Sequence, residues 1–180
     1  MELNNYKKTE KSAKLGTLPK ISLVFLILII LISFLIPVDL LVARDYGTKK
    51  VLNTWKLKED LFTVAYTHSV MLSEVTETFK CNDNKIILLE STFKDYGAGL
   101  PSSTPYDFEI DEETKLFRIY NINEEISPLV YKTGAVRANH KILVDEIAYE
   151  FLSFSEPRES VEFIAEETNY FKYLIRRLVN

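Results

Sequence analysis

The chain has 180 residues, with 26 acidic and 22 basic side chains and a single cysteine, enough for one ordinary domain and a short appendage. Charge is uneven: residues 1–20 carry five Lys against two Glu, whereas residues 44–180 carry 17 Lys/Arg against 23 Asp/Glu. The acidic body argues against a nucleic-acid partner, which needs clustered positive charge, and the lone Cys81 excludes an internal disulfide and any multi-thiolate metal site.

The first predicted element is a helix beginning at Ile21. From Ile21 to Ile36, 14 of 16 residues are Ile, Leu, Val or Phe, interrupted only by Ser22 and Ser33. Eighteen residues of helix, to Val38, would span about 27 Å, close to the thickness of a bilayer's hydrocarbon core. Five lysines precede the run and Arg44 is the nearest basic residue after it, so the positive-inside rule keeps the N-terminus in the cytoplasm. The expected division is a cytoplasmic Lys-rich tail (1–20), a transmembrane signal-anchor (21–43) and an extracytoplasmic domain (44–180) with a core of its own. A cleaved signal peptide is the rival. Its best cleavage site, Leu41-Val42-Ala43, has a large residue where a small one is wanted.

Beyond the anchor the period becomes two, as in strands. Phe62, Val64, Tyr66 and His68 alternate with polar or small residues, as do Val75, Glu77, Phe79 and Cys81. Asn82-Asp83-Asn84 signals a tight turn into a strand over Lys85–Phe93. Residues 96–101, Tyr-Gly-Ala-Gly-Leu-Pro, read as a loop. Tyr106, Phe108 and Ile110 alternate next, and Lys115–Ile122 completes a hairpin. Val130–Lys132 is short and apolar. Val136, Ala138, His140, Ile142 and Val144 predict one strand face, with weaker strands over Ile147–Phe154. A strand over 160–166 and a short amphipathic helix over 170–178, capped by Asn169, close the chain. The expected fold is mainly β, a small antiparallel sandwich or barrel with one N-terminal transmembrane helix and a short C-terminal helix.

His68, Glu77 and His140 fall on apolar strand faces in this pattern. A buried carboxylate needs a partner, and the turn at Met71–Glu74 offers His68 to Glu77. The simplest role is a polar pair fixing strand register. A ligand pocket, or a metal site of two His and one carboxylate, is the sharper alternative, although the spacing matches no local metal motif such as His-Glu-x-x-His. No Gly-x-Ser-x-Gly elbow appears, and Gly97 and Gly99 lack the third glycine and following helix of a dinucleotide loop. No catalytic set, resident metal or cofactor is assigned.

These residues also carry a resemblance. Tyr66-Thr67-His68-Ser69-Val70, Glu77, Gly97-Ala98-Gly99-Leu100-Pro101 and Arg137-Ala138-Asn139-His140, in this order, resemble the motifs of the bacterial family called domain of unknown function 1850. The resemblance covers about residues 50–166, leaving out the anchor and residues 167–180. Members of that family resemble small exported proteins, often encoded beside TAXI-type subunits of TRAP transporters, which use an extracytoplasmic binding protein to deliver organic acids to a permease. The resemblance implies no catalytic residues. It implies a membrane-anchored accessory or ligand-handling domain beside a TRAP-type uptake system, whose permease or binding protein would be the partner. His68, Glu77, Gly97, Gly99, Pro101, Arg137, Asn139 and His140 form the ligand-binding or structural polar cluster. A metal-dependent or His/Glu-based extracytoplasmic enzyme is the runner-up.

Overall fold

Residues 20–68, 70, 72–94, 104–135 and 137–179 are described by a computed structural model. They form two antiparallel sheets and two helices. The four-stranded sheet has the order β2 (Val51–Lys56), β1 (Pro37–Asp45), β12 (Ser160–Asn169) and β9 (Leu129–Lys132). The eight-stranded sheet runs β11 (Ile147–Glu150), β10 (Lys141–Val144), β3 (Leu61–Thr67), β4 (Glu74–Asn82), β5 (Lys85–Phe93), β7 (Phe117–Tyr120) and β6 (Asp107–Ile110), with β8 (Glu124–Glu125) also paired to β5. No barrel closes.

The expected alternation folds as read in β3 and β4. Phe62, Val64, Val75 and Phe79 are buried, and cross-strand pairs Phe62–Phe79 and Val64–Glu77 share a face. The β4–β5 turn pairs Asn82 with Lys85. Asp83 and Asn84 take φ of 50° and 61°, the two left-handed positions a right-twisted hairpin demands and Asn/Asp tolerate. The main core lies between the sheets. Phe62 stacks on Phe79 at 5.1 Å and meets Phe163 of the facing sheet at 6.2 Å. Cys81 joins this core, and burial pushes its thiol up to about 12.

Residues 37–43, expected at the end of the anchor, are strand instead. The N-terminal helix α1 (Lys20–Leu35) stops before Pro37, and β1 starts there. Pro is tolerated as the first residue of a strand. β1 then lies between β2 and β12, with Leu41 and Ala43 facing the main core and Val38, Leu40 and Val42 packed on the other side with Ile164, Tyr170 and Tyr173. A strand covered on both faces is mostly apolar, and apart from exposed Asp39 residues 38–43 are, so they show no clean period of two. No helix among the described residues is long and apolar enough to cross a membrane.

The C-terminal helix α2 (Tyr170–Val179) begins one residue after β12. Asn169 caps it, its Oδ1 accepting from the Lys172 N–H at 3.0 Å. Tyr170 and Tyr173 pack α2 onto β1, and Arg176 makes a two-pronged bond to Glu166 at 2.9 and 2.6 Å. The expected strand over Val136–Val144 is half its predicted length. Only 141–144 pair, and the segment before them, among the described residues, is a loop.

Candidate functional site

Two loops meet at one end of the eight-stranded sheet, where β3 ends and β4 and β10 begin. The first follows Thr67: the His68 N–H donates to Ser73 O at 2.8 Å, and the Leu72 N–H to His68 O at 2.9 Å. The second runs from Thr133 to His140. It is pinned to β3 by the Thr67 N–H donating to Ala138 O at 2.7 Å. A Cβ on Gly134 would lie 2.6 Å from the Cβ of Ala138, so this loop closes only because position 134 carries no side chain. Arg137 and Asn139 are exposed at its tip, Asn139 in the left-handed region at φ 40°.

Below this end a polar group is set among rings. Glu77 points between the sheets from β4, and the Tyr131 hydroxyl reaches across from β9 to donate to Glu77 Oε2. Burial raises the Glu77 carboxyl above its usual range, partly offset by the Tyr131 bond. Tyr131 is also pushed up, by burial first and then by Glu77, so it remains a hydroxyl donor. Tyr66 is raised to about 12 for the same two reasons. His140 stacks on Tyr66 at 5.4 Å and lies 5.3 Å from Phe151 and 6.1 Å from Tyr131. Its Nδ1 accepts from the Gly134 N–H at 3.2 Å, and burial lowers its pKa, which together describe a neutral imidazole with its proton on Nε2.

The family model for the domain of unknown function 1850 matches residues 62–151. The chain belongs to this family. No curated protein and no solved structure matches it.

In this member of the domain of unknown function 1850 family, the candidate residues fall into three groups. Glu77 and His140 share one aromatic nest, bridged by Tyr131 and Tyr66 rather than touching. His68, Arg137 and Asn139 lie on the two joined loops above it. Gly97, Gly99 and Pro101 lie outside the described residues. The expected facing of His68 and Glu77 is displaced: the register sets Glu77 opposite Val64, four residues before His68, or about 13 Å of strand. Among the described residues, no group of three or more His, Cys, Asp or Glu is arranged to hold a metal. An open depression of about 510 Å³ lies at the other end of β3, lined by Lys58, Glu59, Leu61 and Asp145 among others.

Two features of this family member escaped the sequence pattern. Tyr131 is the true partner of Glu77, and only its place in a short apolar strand hinted at an inward hydroxyl. Glu162 is 5% exposed on the outer face of the four-stranded sheet, where Arg44 Nε and Lys49 Nζ donate to its Oε2 at 2.7 and 2.8 Å. The Arg44 bond leads the forces that hold its carboxyl below the usual range.

Proposed function

We propose that this protein is a membrane-anchored, extracytoplasmic accessory or ligand-handling domain serving a TRAP-type solute uptake system. The observation that carries this reading is the meeting of the two motif-bearing loops, with exposed Arg137 at the tip, above the Glu77–Tyr131 pair. Glu77, Tyr131 and His140 brace the loop end from within and leave Arg137 to face a partner. A guanidinium presents planar paired donors to a carboxylate, which suits either an organic acid or an acidic patch on a solute-binding subunit. The link to TRAP transporters rests on the family resemblance.

The anchoring part rests on α1. Its large side chains from Leu23 to Leu35 are 38–81% exposed all round the helix. Water does not tolerate so large an apolar surface, whereas lipid covers it at no cost. The Lys-rich sequence before it supports an N-terminus in the cytoplasm and a β body outside.

Affinity capture from detergent-solubilised membranes, using a C-terminal tag on the full chain, tests the reading. A transporter permease or solute-binding protein is expected with the wild type and lost with Arg137→Glu. Capture of neither by the wild type overturns the accessory role. Capture undiminished by Arg137→Glu removes the loop end from it.

A further inference from the structure

Helix α2 presents two unlike faces. Tyr170 and Tyr173 turn onto β1. Phe171, Leu174, Ile175 and Leu178 fall on one neighbouring arc at helical spacing, and the last three are 38%, 46% and 82% exposed. Lys172 and Arg177 flank this arc and are exposed. Such a helix, with an apolar stripe beside basic residues, is built for the boundary between water and acyl chains.

Its placement identifies the medium that covers that stripe. α1 ends at Leu35 and β1 begins at Pro37, so no linker separates the helix from the body. The Tyr170 N–H, the first of α2, donates to Ile36 O at 2.9 Å. Phe171 stacks on Phe34 of α1 with ring centroids 4.3 Å apart. The exposed stripe of α2 is thus continuous with the exposed apolar surface of α1 where that helix stops.

We infer that α2 lies in the headgroup layer of the same bilayer, with Phe171, Leu174, Ile175 and Leu178 against acyl chains and Lys172 and Arg177 toward anionic headgroups. Two attachments at one point, a helix entering the lipid and a helix lying on it, hold the β body at a fixed tilt. The inference rests on the anchoring reading above and adds an orientation to it.

The test uses the full chain reconstituted in vesicles of phosphatidylcholine with a minority of phosphatidylglycerol, carrying an environment-sensitive fluorophore on L178C or on K172C. Cys81 is buried and does not take the label. Leu178 is largely exposed in the protein itself, so shielding there must come from outside the chain. The expected result is a several-fold lower quenching by aqueous iodide at position 178 than at 172, with quenching at 178 by acyl-brominated lipid. Equal iodide quenching at both positions, in protein that floats with the vesicles, overturns the inference while leaving the anchor intact. Shielding at 178 that persists in detergent without bromolipid quenching assigns the face to a second copy or another protein, and also overturns it. Failure to float with the vesicles overturns the anchoring reading, and the inference with it.

Discussion

The two sheets come from different parts of the chain. The eight-stranded sheet is made almost wholly of residues 62–151, the span matched by the family model. The four-stranded sheet takes only β9 from that span; β1, β2 and β12 come from the flanks. Yet the smaller sheet is what buries the inner face of the larger one, through Leu41, Trp55, Val161 and Phe163. The matched span is therefore not a folding unit by itself. Without the flanks, Phe62, Val64, Phe79 and Ile142 would face water, each forfeiting about 1.5–3 kcal/mol of burial. The sheets also treat carboxylates oppositely. Glu77, facing inward, is held by a neutral hydroxyl and raised; Glu162, facing outward, is held by two cations and lowered.

The largest expected effect comes from removing β1. A chain starting at residue 46 should lose cooperative thermal unfolding altogether, whereas one starting at residue 36 should keep a β-type circular dichroism spectrum and a sharp melt. A cooperative melt from the shorter chain would show that the larger sheet stands alone. The result also bears on the rival signal-peptide reading, since cleavage after Ala43 would take away most of a buried strand.

Next in size is Glu162→Ala, which leaves Arg44 and Lys49 without their shared acceptor. Because both cations keep some access to water, the expected loss is about 2 kcal/mol, below the roughly 3–5 kcal/mol of a fully buried pair, read by urea unfolding. Glu77→Ala should cost about 1–2 kcal/mol by stranding the Tyr131 hydroxyl, and Glu77→Gln less than about 1 kcal/mol because an amide oxygen still accepts that bond. A Gln variant as damaged as the Ala variant would show that Glu77 needs its charge.

The smallest effects lie in pH dependence, with opposite signs. The stability Glu162 supplies is present above its unfolded pKa of about 4.3 and is lost as pH falls through its lower folded value. For Glu77 the folded pKa lies above about 4.3, so its contribution is complete below that pH and is lost as pH rises through the raised value. Glu162→Gln should flatten the acid limb of a melting-temperature profile. Glu77→Gln should remove a decline on the neutral side. The same change in both variants would refute the distinction.

The centre of the larger sheet was legible because one side of β3 and of β4 is drier than the other. Phe62, Val64 and Tyr66, then Val75, Glu77 and Phe79, show the period directly, and Asp83-Asn84 marks the turn. The C-terminal helix was legible through Asn169 and its spaced apolar residues. β1 was not: buried on both faces and abutting an apolar helix, it has no period to reveal. The alternation at Val136, Ala138 and His140 misled for the opposite reason. Ala138 and His140 lie in a loop fixed by a near contact at Gly134 and a distant one at Thr67, and the second depends on a strand far away in the chain. Glu162 was not legible, because its cover by Lys49 and Arg44 depends on the β1–β12 register.

That register, Pro37 against Asn169 through Asp45 against Val161, has a consequence for biosynthesis. β1 is among the first parts of the body to leave the ribosome, and its partner β12 is among the last. Nearly the whole domain must be closed as a loop before they can zip together, an entropic demand of the kind that slows folding. Until β12 arrives, β1 has an open edge and two bare apolar faces, the state in which chains aggregate. Should α1 insert in lipid, the growing chain would keep that strand tethered at the bilayer and apart from its neighbours while it waits.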